Sequence, residues 1–121
     1  MENKKTLVLG ASDNPSRYSY LAINRLVRTG HPVVAVGRKN TSVAGIEINK
    51  EKMEFDNVDT VTLYLNPLNQ REYYDYIVSL KPKRIIFNPG TENPELFDLA
   101  GKNNIKTMEA CTLVLLSTGQ Y

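Results

Sequence analysis

A doubly wound, mostly parallel α/β sheet in a single domain is the fold class that three observations predict. Short apolar runs recur along the chain, each closed by glycine, proline or asparagine. Segments of helical periodicity separate most of them. The first two runs, Thr6–Leu9 and 32–36 (PVVAV), are continuously apolar instead of alternating, as strands buried on both faces of a parallel sheet are.

The elements follow in order. Thr6–Leu9 is too short for a helix and ends at Gly10, so it reads as a buried strand. Pro15 stops anything upstream, and Ser16 is placed to cap a helix. Ala22, Ile23, Leu26 and Val27 form one apolar stripe on that helix, which ends at Gly30. With the second strand, closed by Gly37, this makes a strand–helix–strand unit of about 30 residues, the size of one right-handed crossover. Val43–Ile48 alternates weakly and reads as one short third strand, whereas 49–59 carries no clean helix signal. Thr60–Leu65 is a fourth strand, followed by a turn at Asn66-Pro67. Tyr73, Tyr76, Ile77 and Leu80 mark a helix face, with Pro82 beyond it. Residues 84–88 (RIIFN) form a fifth strand. Asn93-Pro94 starts a helix with proline at its first position, and Leu96, Phe97 and Ala100 are its expected buried face. Lys106–Glu109 is a last short strand, and Thr112–Leu116 is read as a terminal helix.

The whole length, residues 1–121, is expected to form one domain. The hydrophobic fraction of 41% supplies one core, not a nucleotide domain plus a substrate domain. The formal net charge of +2 is too slight to point to nucleic acid. No apolar run approaches the roughly 20 residues needed to cross a membrane. Residues 1–5 (MENKK) lead directly into a strand, so a secretory signal is not expected. Cys111 is the single cysteine, which excludes an internal disulfide and fits a reducing, cytoplasmic setting.

Doubly wound sheets bind ligands beyond the carboxyl ends of their strands, near the switch in strand order. The first such end is the loop after β-strand one. Gly10 permits a sharp turn, and Ala11 and Ser12 are small enough for a phosphate to reach their amides. Ser16 adds a hydroxyl and Arg17 a charge at the helix start, where free N–H groups and the positive dipole end favour an anion. The second end is Gly37-Arg38-Lys39. Sites selective for NAD place an acid there for the ribose hydroxyl. Two cations instead match a phosphorylated ribose, which leaves NADP and coenzyme A both open. At the third end, Leu65, Asn66 and Pro67 offer an apolar, stiff slot for an adenine ring. At the fourth, Asn88, Pro89 and Gly90 form a stiff loop exposing backbone groups.

No catalytic constellation is legible. Glu92 and Glu109 stand at strand ends without a base to pair with, and read as solvated carboxylates. His31 follows Gly30 at the far end of the sheet, where its ring is expected to meet the last helix carbonyls. Cys111 reads as a buried, inert thiol. One histidine and one cysteine far apart make no metal site. Tyr73 and Tyr76 are expected to be structural.

Four segments together, VLGASDNPSRYSYLAINRL, GHPVVAVGRK, KPKRIIFNPGTENPEL and EACTLVLLSTGQ, resemble the small single-domain CoA-binding proteins, whose domain is similar to the CoA-binding domain of the succinyl-CoA synthetase α subunit. The resemblance runs from about residue 5 to the C-terminus. It implies a Rossmann-like fold that binds coenzyme A or an acyl-CoA. Gly10, Ala11, Ser12 and Arg17 would cradle the pyrophosphate, and Arg38 and Lys39, after Gly37, would meet the phosphorylated ribose. Leu65, Asn66 and Pro67 would border the adenine, with Asn88, Pro89 and Gly90 near the pantetheine arm. The first loop has fewer glycines than that of the synthetase domain, and the domain carrying the synthetase's catalytic histidine has no counterpart here.

The expectation is therefore a CoA-binding module without chemistry of its own. Two alternatives stand beside it: an NADP-dependent oxidoreductase, and a subunit of a CoA ligase. Against the first alternative, no Tyr-x-x-x-Lys pair occurs. The apolar segment TLVLLSTGQY is free to pack on its own chain, on another copy or on a protein partner.

Overall fold

A computed structural model describes residues 3–121. Met1 and Glu2, part of the polar leader read above, lie outside the described residues. Seven strands, β1 (Thr6–Ala11), β2 (Val33–Gly37), β3 (Thr41–Val43), β4 (Ile46–Asn49), β5 (Thr60–Leu63), β6 (Arg84–Phe87) and β7 (Lys106–Glu109), form one sheet in the order β3-β4-β2-β1-β5-β6-β7. Every neighbouring pair is parallel except β3 and β4. The chain winds outward from β1 to β2 and β4, then crosses back to β5 and winds the other way. The switch in strand order therefore lies between β1 and β5.

Two cores follow from the period-two alternation of strand side chains. Leu7, Val61 and Ile85 are in register across three strands. They face one side with Leu9, Leu63 and Phe87, under Ile77, Leu96 and Ala100. Those last three belong to α3 (Tyr74–Leu80) and α4 (Pro94–Lys102). Val8, Ala35 and Ile86 face the other side, under Ile23 and Leu26 of α1 (Tyr18–Arg28) and Leu115 and Leu116 of α5 (Thr112–Ser117). Helices thus cover both faces, so that even Thr60 and Thr62 of the alternating strand β5 are fully buried. The terminal apolar segment packs on its own chain, with Val114 left exposed.

Several local expectations are corrected. The single strand read at Val43–Ile48 is a hairpin of β3 and β4, paired Val43 to Ile46. Ala44 and Gly45 form its two-residue turn, with φ of 52° and 80°, the twist that two-residue hairpins favour. An alanine there gives little turn signal. Ser16 does not cap α1. Arg17 holds the cap position without a side-chain bond, and Ser16 bonds Asn14 instead. The fourth strand stops at Leu63, so Tyr64 and Leu65 leave the sheet. Asn66-Pro67 is not merely a turn: Asn66 Oδ1 accepts from the Asn69 N–H at 2.9 Å and starts a short helix, α2 (Pro67–Gln70). A single 3₁₀ turn joins it to α3. Phe97 is 52% exposed and Val27 37%, so neither is core. His31 offers only its backbone N–H to the end of α1, on Leu26 O; its ring turns to Lys4, whose N–H its Nδ1 accepts at 3.0 Å.

Candidate functional site

Two glycines bring the strand ends together at the switch point. Gly10 has φ of 91°, and a side-chain carbon on it would lie 2.9 Å from the backbone of Tyr64. The end of β1 can therefore touch the segment leaving β5 only without a side chain. Gly37 is tighter still: a side-chain carbon there would lie 2.2 Å from the Ala11 carbonyl oxygen. The β1–β2 register shifts between Leu9 and Ala11, and Gly37 fills the resulting close crossing.

Above these crossings opens a cleft of about 810 Å³. The structure brings to it Gly10, Ala11, Ser12, Arg17, Gly37, Arg38 and Lys39 from one flank, and Leu65, Asn66, Pro89 and Gly90 from the other. Pro67 and Asn88 do not line it. Pro67 begins α2. Asn88 is 3% exposed and spends its amide internally. Its Nδ2 donates to Thr62 Oγ1 and Leu63 O, and its Oδ1 accepts from the Thr112 N–H at 2.9 Å.

Asn88 belongs to a polar floor that aims the rim loops. Thr62 and Thr112 share a hydroxyl hydrogen bond of 2.8 Å. Gln70, fully buried, donates from Nε2 to Leu65 O and Thr91 O, both at 2.8 Å. Asn93 Nδ2 in turn donates to Gln70 Oε1 and to the Tyr74 hydroxyl. Buried polar groups must find partners, and here the partners are the loops after β5 and β6. Gln70 carried no signal in the sequence, because its two carbonyl partners are distant or irregular in the chain.

The first loop is shaped by its own side chains. Ser12 Oγ accepts from the Asn14 N–H, and Asn14 Oδ1 accepts from the Ser16 N–H and hydroxyl. Such local bonds hold turns open against helix. They end at an α1 that no side chain caps: the Tyr20 and Leu21 N–H groups turn back to Arg17 O, and those of Tyr18 and Ser19 have no hydrogen-bond partner among the described residues. Asp13 points across to the hairpin. Its Oδ2 accepts from Thr41 Oγ1 at 3.0 Å and pairs with Lys39 Nζ at 3.2 Å. The Thr41 hydrogen bond, then Lys39, hold its carboxyl below the usual range. Arg17 and Arg38 have no such partner among the described residues.

Tyr64 and Tyr73 also line the cleft. The sequence places the first at the end of the fourth strand, in the third strand end, and the second on a helix face. Burial pushes the Tyr64 phenol up to about 12, and burial and Glu72 also raise that of Tyr73 against the opposing pull of Arg38. Both stay protonated near neutrality. Glu92 is engaged too, its Oε1 accepting from the Gly90 N–H at 2.8 Å. Cys111, half-buried at the start of α5, does not line the cleft.

An open cleft at the switch point of a doubly wound sheet defines a Rossmann-like α/β protein. The chain belongs to the CoA binding domain family, whose profile matches residues 4–117. No curated protein sequence matches it. Among solved structures it is similar to one described as an uncharacterized protein, at 52% identity over the full length of both chains, with a TM-score of 0.97. It also resembles a hypothetical protein from Pyrococcus horikoshii OT3, at 23% identity over 96% of this chain and 83% of that one, TM-score 0.87. A protein from Thermus thermophilus is similar at 19% identity over 98% and 91%, TM-score 0.85. The last two likenesses concern the fold alone. Among the described residues, no helix is long and apolar enough to cross a membrane.

Proposed function

We propose that this protein binds coenzyme A, free or acylated, in the switch-point cleft and performs no chemistry on it. The observation that carries the reading is the juxtaposition, on one flank, of the uncapped start of α1 with Arg17 and Arg38. These supply donors and unpaired charge for a pyrophosphate and a separate ribose phosphate. Family membership makes coenzyme A the ligand that unites them. Ala11 and Ser12 let the pyrophosphate approach the backbone through the turn that Gly10 makes. Arg38, with Lys39 beside it, meets the phosphorylated ribose as β2 ends at Gly37. Leu65 and Asn66, joined by Tyr73, border the adenine. Pro67, exposed outside the cleft, starts α2, and Asn88 braces the floor beneath the surface, while Pro89 and Gly90 border the pantetheine arm.

The absence of chemistry rests on the groups at the pantetheine end. A general base must be deprotonated at working pH. Tyr64 holds its proton, and Glu92 is tied to an amide of its own loop. A cytoplasmic setting suits a chain with a free thiol at Cys111.

Calorimetric titration with CoA, dephospho-CoA, NADP and NAD tests the reading. CoA is expected to bind about tenfold more tightly than dephospho-CoA, the worth of one charge-assisted phosphate contact. Binding of NADP without CoA would overturn the proposal in favour of a reductase. Acetyl-CoA incubated with the protein should be recovered unhydrolysed; its turnover would refute the non-catalytic part.

A further inference from the structure

The two cations after β2 look equivalent in sequence, yet the fold separates them. Lys39 is paired with Asp13 at 3.2 Å, while Arg38 has no acidic or hydrogen-bonding partner among the described residues. Asp13 comes from the phosphate loop itself, the segment that must receive an anion. Its carboxylate reaches the hairpin of β3 and β4 and accepts from Thr41 Oγ1 at 3.0 Å. Both members of the ion pair are accessible, with side-chain exposures of 68% for Lys39 and 34% for Asp13. An incoming phosphate can therefore reach the ammonium, and an exposed pair of this kind is weak enough to exchange.

We infer that Asp13 is a specificity-determining residue of the cleft: its carboxylate occupies Lys39 and competes with the ligand's ribose phosphate for that ammonium. The inference rests on the coenzyme A reading above. Arg38 then carries most of the discrimination for a phosphorylated ribose, and Lys39 is held in reserve. A dianionic ribose phosphate gains from Lys39 only what it takes from Asp13. The bond to Thr41 has a separate role. It keeps the carboxylate turned to the hairpin and away from the amides of the first loop, where it would repel the pyrophosphate.

The substitution Asp13→Asn separates charge from tether, because the amide oxygen can still accept from Thr41. The variant is expected to bind CoA about fivefold more tightly and dephospho-CoA less than twofold more tightly, the scale of one exposed charge pair. In a Lys39→Ala background the same change should give no gain, since the cycle removes the pair being tested. Lys39→Ala alone should weaken CoA by less than about threefold, against roughly tenfold for Arg38→Ala. Thermal unfolding of each variant checks that the fold is kept. Should Asp13→Asn change CoA and dephospho-CoA equally, or keep its gain without Lys39, the competition is refuted. Weaker binding of both ligands would make Asp13 a mere tether and overturn the inference as well. A wild-type protein that binds neither ligand would remove the coenzyme A reading itself. One that binds both, with an unchanged ratio in the variant, removes this inference alone.

Discussion

The two rims of the sheet carry similar residues and use them in opposite ways. At the amino-terminal rim, Lys4, His31, Arg84 and Tyr121 form a closed cluster. The Arg84 guanidinium lies 4.4 Å from the centre of the Tyr121 ring, and its Nε donates to Thr60 Oγ1 at 2.7 Å. Lys4 Nζ donates to the Tyr121 carbonyl oxygen at 3.0 Å, and the Tyr121 hydroxyl shares a hydrogen bond with Thr6. The His31 ring packs edge-on against Tyr121 at 4.9 Å. At the carboxyl-terminal rim, Arg17 and Arg38 stand exposed, beside amides that no side chain caps. A cation stacked on a ring and bonded to its own chain contributes to the fold. A cation left to water retains its charge for a ligand. Composition is not what separates a site from a staple: at the closed rim the polar groups are enclosed by the chain, although His31 Nε2 and Arg84 Nη2 are buried without a hydrogen-bond partner, whereas at the open rim they face water.

Substitutions at the two rims should therefore separate stability from binding. The largest effect is expected where the contrast breaks down, at Gly37, which lies at the cleft but is fully enclosed. Gly37→Ala drives a methyl into the Ala11 carbonyl. Overpacking against backbone should cost about 3 kcal/mol and lower the melting temperature by roughly 10 °C, with CoA binding lost alongside. Calorimetric melting and titration of that one variant measure both. A neutral substitution would mean that β1 and β2 separate more easily than their register implies.

Next comes the closed rim. Tyr121 is 4% exposed and meets four side chains, those of Lys4, Arg84 and His31 at its ring and Thr6 at its hydroxyl. Tyr121→Ala should cost about 2–3 kcal/mol in urea unfolding, by analogy with other buried aromatic truncations, while the affinity for CoA stays within twofold. A large loss of affinity would show that the rims are coupled through the sheet. Arg38→Ala should do the reverse. Stability is expected to change by less than about 0.5 kcal/mol, and CoA affinity to fall about tenfold with little change for dephospho-CoA.

The smallest effect is a pH dependence. Burial, then the neighbouring Lys4 and Arg84 charges, depress the His31 pKa below its ordinary 6.5. Because Nδ1 accepts the Lys4 N–H, the neutral ring carries its proton on Nε2. The unfolded chain then binds a proton that the folded chain resists. The contribution is complete above the unfolded value and is lost as pH falls from there through the lowered folded value. Melting temperature should decline on acidification below about pH 6.5, and His31→Gln should flatten that decline. CoA binding at the distant cleft should not follow the same titration.

Much of this architecture was legible because it depends on local chemistry. Continuous apolar runs marked the buried strands, and Asn93-Pro94 marked the start of α4, where Asn93 Oδ1 accepts from Glu95 and Leu96 N–H groups. The placing of small residues after β1 and cations after β2 follows from strand order, which alternating strands and helices already imply. The hairpin at Ala44-Gly45 was missed because an alanine with positive φ is uncommon. Phe97 was misassigned because periodicity gives the angle of a side chain on its helix but not the width of the sheet beneath it.

The chain's order of residue types is enough to specify the doubly wound sheet, its two apolar faces and the rim at which a nucleotide would sit, since backbone period and side-chain hydrophobicity act over a few neighbouring residues. Which polar groups at that rim are available was decided by tertiary contacts. Asp13 meets Thr41 across 28 positions, Asn88 meets Thr112 across 24, and Gln70 meets Thr91 across 21. Such pairings satisfy a donor or a charge only when the folded sheet brings distant segments within about 3 Å. For that reason Asn88 became part of the floor, Lys39 was drawn to Asp13, and Arg38 was left facing the cleft.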